Sequence, residues 1–310
     1  MSEIWLTYNG KVITHNAKIL TKPYVPPMTL RFQFSNTSYV PTVGSSTSDT
    51  ARKGSWTAYD ASNGIWDWTC TDPNWNSAFD NRLSRTRVGD TTSVIMAGDT
   101  SNVTSTRRMF ASTTVPSSLI SVALFDTSNV TDMSLMFYDC TRLKTAPFFD
   151  TSNVTTMEGT FKACDTLKSV PLFDTSKVTS MKETFFYCYD LESIPLFDTS
   201  NVTDMTSAFE CCESIEYIPL LDTSKVTRMR GMFAECYSLK EIPLLNTSSA
   251  TDVLGMFYRC RQVESGALAL YQQMSSQANP PSVHTECFYE CGSNTTTGAA
   301  ELAQIPSDWK

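Results

Sequence analysis

The sequence predicts an α/β solenoid: a stack of like coils, each built from one short strand, one tight turn and one helical or 3-10 segment, with a cap at each end. Three observations predict it. A 24-residue unit recurs without insertion, the apolar spacing changes period inside each unit, and worn copies flank the regular ones. Asp126, Asp150, Asp174, Asp198, Asp222 and Asn246 open the six regular units, and each is followed by Thr-Ser. Apolar positions then fall in register: Val202, Met205, Phe209, Cys212 and Ile215 in one unit match Val178, Met181, Phe185, Cys188 and Leu191 in the unit before.

From Val202 through Met205 and Phe209 to Cys212 the steps are three, four and three, the spacing of one helical face. From Ile194 to Leu196 the step is two, as in a strand. The array occupies residues 95–265. Its first copy is degenerate, with Asp99-Thr-Ser-Asn-Val103 and Phe110 on template and a three-residue insertion around residues 112–118. Its last trace is Phe288-Tyr-Glu-Cys291, which copies Phe257-Tyr-Arg-Cys260. Worn ends are expected of a solenoid, because its terminal coils must close a core that would otherwise face water.

The flanks divide into three parts. Residues 1–22 read as a β-hairpin around Asn9-Gly10, a possible anchor. Residues 23–94 read as a β-rich cap. Within it Pro23 to Pro27 form a stiff linker, Met28 to Phe34 a strand, and residues 35–54 a Ser/Thr-rich loop. A second hairpin at Asn63-Gly64 joins Trp56–Tyr59 to Ile65–Cys70, and a short helix follows Asp72-Pro73 to about Leu83. Residues 266–310 read as a helical C-terminal cap, with helices at 266–277 and 298–304 around the partial repeat.

Composition excludes several classes. The net charge is −8 with no basic cluster to neutralise a phosphate backbone, so nucleic acid is not an expected partner. No apolar run reaches the ~20 residues that span a bilayer, so membrane insertion is not expected. The N-terminus MSEIWLTYNG lacks the basic and apolar regions of a secretory signal. Two histidines in dissimilar segments, no Gly-rich phosphate loop and no nucleophile elbow leave no catalytic constellation, and the expectation is a protein that is not an enzyme and uses no cofactor.

Four features carry candidate sites. Cys140, Cys164, Cys188, Cys212, Cys236 and Cys260 occupy one repeat position; parallel side chains leave their Cβ atoms too far apart for disulfides, so they read as a reduced core ladder. Cys70, Cys211 and Cys287 have no assigned role. The Asp column suggests stacked calcium sites or Asx and ST turns, and the turns are preferred because the unit lacks the glycines that calcium-binding repeats use. His284, Cys287 and Cys291 offer three zinc ligands without a fourth, so no metal is expected. Finally, if Ile194 and Leu196 face inward, Phe125, Phe149, Phe173 and Phe197 stack outward beside Leu221 and Leu245 as a ligand platform. The alternative is that the cap, a neighbouring subunit or a shifted register buries this row, and Pro at the preceding strand position in five coils leaves the facing open.

The order Leu191-x-x-Ile194-x-Leu196, then Asn201-Val202-x-x-Met205, Phe209, Cys212 and Ile215 resembles a leucine-rich repeat. The wording DTSNVTDM…MF…C…L resembles the BspA-type repeats of bacterial surface proteins, also found in mycoplasma lipoproteins. Lys177 and Lys225 replace the usual asparagine, so a continuous asparagine ladder is not expected. The resemblance implies a right-handed coil stack with a parallel β-sheet on one face and short helical or 3-10 segments on the other. For function it implies binding: recognition of a host-surface protein or carbohydrate by a phage virion or attachment component, with residues 1–22 touching other virion subunits. A bacterial cell-surface adhesin and a structural spacer or assembly protein are the alternatives.

Overall fold

The computed structural model describes residues 103–111 and 119–310 and, ahead of them, the backbone of six strands: β1 (Leu6–Tyr8), β2 (Lys11–Ile13), β3 (Thr29–Phe34), β4 (Gly54–Asp60), β5 (Ile65–Cys70) and β6 (Thr91–Met96). The linker at Pro23, the loop over 35–53 and the helix expected after Asp72 lie outside the described residues. β1 and β2 pair antiparallel with Tyr8 opposite Lys11, leaving two residues between the strands. β4 and β5 pair with Asp60 opposite Ile65, so four residues rather than Asn63-Gly64 alone connect them, and the register slips between Ala58 and Asp60.

A five-stranded sheet runs in the order β4-β5-β3-β6-β7, where β7 is Ser121–Val122. Its first three pairings are antiparallel and the last, β6 with β7, is parallel. Val122 occupies the repeat position of Val170, Ile194, Ile218 and Ile242. The N-terminal sheet thus hydrogen-bonds directly to the first full coil and covers an edge that would otherwise template association.

The coils form a repeat solenoid, but their hydrogen bonds are not those of strand plus helix. Over Met205 to Cys212 alternate N–H groups point to different places. Met205, Ser207, Phe209 and Cys211 donate to Arg228, Arg230, Met232 and Ala234 of the next coil at 2.8–2.9 Å, while Ala208, Glu210 and Cys212 donate three residues back within their own coil. A helix would keep all of these bonds for itself. The division is possible because Ser207 and Cys211 have φ of 52° and 60°, left-handed values that stop a helix every fourth residue. The same two positions are left-handed in every regular coil, as Leu135 and Asp139 or Gly159 and Ala163. The expected 3-10 segment is therefore a train of linked turns whose spare donors stitch coil to coil.

The expected sheet is also displaced. Isolated parallel bridges run through Ser105, Asp132, Thr156, Ser180, Asp204, Arg228, Asp252 and Val283, in the arc read as helical. On the arc read as a strand, bridges among the described residues join only Thr145 to Ser169 and Glu241 to Ser265, besides the β6–β7 pair. Proline explains the difference: Pro147, Pro171, Pro195, Pro219 and Pro243 remove a ladder donor from that arc in five coils.

Three polar columns lock the register. Thr131, Thr155, Thr179, Thr203, Thr227 and Thr251 each give their N–H and their Oγ1 to the equivalent carbonyl one coil earlier, at 2.8–3.0 Å and 3.1–3.2 Å. Buried Thr127, Thr175, Thr199 and Thr223 reach forward to the carbonyls of Asp150, Asp198, Asp222 and Asn246. At the position where lysine interrupts asparagine, the two types alternate from Asn153 to Lys225: Lys177 Nζ donates to Asn153 Oδ1 and Lys225 Nζ to Asn201 Oδ1, while Asn153 and Asn201 donate to Ser128 and Ser176 carbonyls.

The far end is closed by α1 (Ala267–Ser275), α2 (Thr296–Gln304) and a 3-10 turn at Ser307–Trp309. α1 buries Ala267, Leu270 and Met274, and its Gln273 Nε2 caps the Leu245 carbonyl at 2.8 Å. Thr295 accepts from Gly298 N at 3.0 Å and donates to Val263 O at 2.7 Å. Only glycine fits at 298, where a Cβ would lie 2.1 Å from that carbonyl. Trp309, buried, accepts from Phe288 N at 2.9 Å and carries His284 flat against its ring at 4.2 Å.

Candidate binding face

Two apolar columns run the length of the array. The inner one is Phe110, Phe137, Phe161, Phe185, Phe209, Phe233, Phe257 and Phe288, all essentially inaccessible, with neighbouring centroids 5.2–6.1 Å apart. Beside it stand the six ladder cysteines, free and buried, each donating its thiol to the phenylalanine carbonyl of the preceding coil, as Cys188 to Phe161 at 3.1 Å and Cys212 to Phe185 at 3.2 Å. Burial pushes the thiols of Cys164, Cys188, Cys212, Cys236 and Cys260 far above their ordinary range, which keeps them protonated and unreactive.

The outer column overturns the outward Phe platform expected from strand alternation. Phe149, Phe173 and Phe197 are each only 3% exposed, and Phe125 is half-buried against the core. Their neighbours Leu124, Phe148, Leu172, Leu196, Leu220 and Leu244 are 58–65% exposed instead. Leu172 and Leu196, expected inside, are outside. The cause is local. Phe197 N donates to Pro195 O at 2.9 Å, Leu221 N to Pro219 O at 2.8 Å and Leu245 N to Pro243 O at 2.8 Å. These three-residue turns stretch the inward step from two to three, so Ile194 and Phe197 both face the core and Leu196 stands at the turn's apex.

The result is a ridge of one large apolar side chain per coil over six coils. The aspartate column lies along one side. Oδ1 of Asp150, Asp174, Asp198 and Asp222 accepts the N–H of the serine two residues on at 3.0–3.1 Å, which makes these residues Asx turns. The serine bonds hold the carboxyls of Asp150, Asp174 and Asp222 below their ordinary range, so these three stay ionised. Along the other side run Lys144, Lys168, Glu192, Glu216 and Lys240, of which Lys168 and Glu192 pair at 2.7 Å.

Other candidate chemistry is dispersed. Among the described residues no group of three or more His, Cys, Asp or Glu side chains is arranged to hold a metal, and no helix is long and apolar enough to cross a membrane. Cys287 takes the repeat position of Met256 and Cys291 that of Cys260, both fully buried, while His284 lies on Trp309. Cys211 points its thiol at Glu235 Oε2, 3.5 Å away, and burial followed by the Glu235 and Glu210 charges raises it. The side chain of Cys70 lies outside the described residues. A polar cleft of about 320 Å³ on the first coils is lined by Arg107, Arg108, Ser134, Leu135, Tyr138, Glu158, Lys162 and Glu183. There Lys162 pairs with Glu183 and lies over the ring of Phe186.

A family model described as "Mycoplasma protein of unknown function, DUF285" matches residues 77–194 and 166–271. Among solved structures, a leucine-rich repeat protein from Eubacterium ventriosum is 22% identical over 46% of this chain and 43% of its own, with a TM-score of 0.32. The present chain thus spans less than half of that protein. A comparison with the curated proteins finds no match.

Proposed function

Given that the chain belongs to this family of mycoplasma proteins of unknown function, we propose that it is a non-enzymatic recognition protein whose leucine ridge docks onto a partner. The carrying observation is the ridge itself: six consecutive coils hold a large apolar side chain 58–65% exposed when the same chain buries every phenylalanine of the inner column. Apolar surface placed in water without a partner is unfavourable by about 25 cal/mol per Å² relative to burial, and a contiguous strip of it marks an interaction site. Its aliphatic make-up, with Phe148 the one aromatic in the row, favours a protein surface over a glycan, which stacks best on aromatic rings. The scaffold we infer is a right-handed leucine-rich-repeat-like stack of the BspA type. The setting we propose first is a phage virion or its attachment apparatus, with the ridge facing the host surface and residues 1–22 holding the chain to other virion subunits.

The test is adsorption of tagged protein to candidate host cells, comparing wild type with Leu172→Ser plus Leu196→Ser plus Leu220→Ser. A loss of tenfold or more in the variant supports the reading; equal adsorption overturns it. Two other settings use the same ridge. A bacterial cell-surface adhesin would be found on its own producer's surface, whereas a spacer or assembly protein would self-associate, which light scattering detects and the serine variant abolishes.

A further inference from the structure

Resting on the reading of the ridge as a docking face, we infer that its occupant is an amphipathic α-helix with basic flanks, supplied by a protein partner and laid along the solenoid axis. The first support is spacing. Stacked coils rise by ~4.8 Å, and the core rings they carry recur at 5.2–5.6 Å from Phe137 to Phe257. An α-helix presents its apolar stripe once per turn, at about 5.4 Å, so helix and ridge stay within about half a repeat over six coils. A strand repeats on one face at about 6.8 Å and falls a whole coil out of step by its third step along the ridge. The ridge is about 24 Å long, the length of a helix of about 16 residues.

The second support is charge. Asp126, Asp150, Asp174, Asp198 and Asp222 form an exposed carboxylate file on one side of the ridge, five acids only partly offset by Lys177 and Lys225 beside them, whereas Lys168 and Glu192 neutralise each other on the other. Lysine or arginine beside a helix's apolar stripe would meet that file. A second copy of this chain is a poor occupant by the same measure. Two ridges related by a two-fold axis across the solenoid set aspartate file against aspartate file. Related by an axis along it, they set Asp198 and Asp222 against Glu192 and Glu216 of the other copy. The first arrangement repels along its whole length, and the second offsets its two like-charge contacts only with Asp150 and Asp174 against Lys144 and Lys168, so neither matches a continuous basic flank.

The experiment uses the full chain and three fluorescent synthetic peptides of about 18 residues: Leu and Lys patterned with helical period, the same composition in strict alternation, and the helical pattern with Glu replacing Lys. Anisotropy titrations should show the helical Lys peptide binding at least tenfold more tightly than either control. L172S/L196S/L220S should abolish that preference. Asp150→Asn plus Asp174→Asn plus Asp198→Asn should weaken binding about tenfold and flatten its salt dependence. Equal binding of the alternating peptide overturns the helix, equal binding of the Glu peptide overturns the basic flank, and binding unmoved by L172S/L196S/L220S means adsorption elsewhere on an acidic protein and overturns the site. Circular dichroism melts of both variants establish that they remain folded. If no peptide binds while host-cell adsorption still depends on the ridge, this inference fails and the docking reading stands; if adsorption ignores the ridge, the reading itself fails.

Discussion

The inner phenylalanine column and the outer leucine column repeat with the same period and nearly the same fidelity, yet one is sealed and the other stands in solvent. The contrast teaches that in a stacked array repetition alone does not mark a core. Any residue type at one repeat position becomes a column, and the backbone between positions decides which side of the wall that column lies on. Phe185 sits in a train of turns that points every third or fourth side chain inward, whereas Leu196 sits at the apex of a turn closed by Pro195.

The contrast should break most visibly from the inside. Phe185→Ala removes a ring stacked between Phe161 and Phe209 at 5.6 and 5.4 Å, and should cost about 3–5 kcal/mol by denaturant unfolding. Neighbouring coils share the lost interface, so the transition should also broaden. Cys188→Ala removes a buried thiol and its bond to Phe161 O, for an expected loss of about 1–2 kcal/mol. Native protein should correspondingly resist thiol reagents at pH 8 at all six ladder positions, as peptide mapping would show.

Acid separates the surface from the core more gently. Burial, followed by the nearby Glu235 charge, raises the carboxyls of Glu210 and Glu213; burial, followed by neighbouring aspartates, raises Asp139 and Asp165. In the folded protein these groups take up protons before their unfolded counterparts do. Stability should therefore rise slightly as pH falls from 7 toward about 4.5. Asp150, Asp174 and Asp222, held down first by their serine bonds, act in the opposite sense: their contribution is present above about pH 3.9 and lost as pH falls through their lowered folded values. Thermal melts between pH 7 and 2.5 should pass through a shallow maximum; a monotonic fall from neutrality would count against these assignments. The smallest effect belongs to the ridge: Leu196→Ser should change unfolding stability by no more than about 0.5 kcal/mol, because a side chain 62% exposed has little burial to lose.

Much of the fold is legible in the residues. The unbroken 24-residue period, the Val-Met-Phe-Cys core positions and the departing copies at both ends specify a solenoid, since only stacked coils bring like residues together at a fixed interval. The aspartates read as Asx turns are Asx turns, and the cysteines read as a reduced ladder are free and buried. The ridge is harder to see. The step from Ile194 to Leu196 looks like strand alternation, and the signal against it is the proline between them, which lacks the donor a strand needs.

What the sequence determined by itself is therefore the column: which residues share a level, how many levels there are, and that the ends must be capped. Periodicity settles these because it is a property of the chain. Which columns face inward was decided by tertiary structure. The left-handed residues at positions such as Ser207 and Cys211 are stable because the adjacent coil accepts the N–H groups that a local helix would have used, whereas the turn over Pro195 to Phe197 closes on its own Pro195 carbonyl. The acceptors of Ser207 and Cys211 lie 23 positions away, beyond the reach of local pattern, while the stacking of Phe197 against Phe173 and Phe185 holds it in the core and leaves Leu196, at the turn's apex, in solvent.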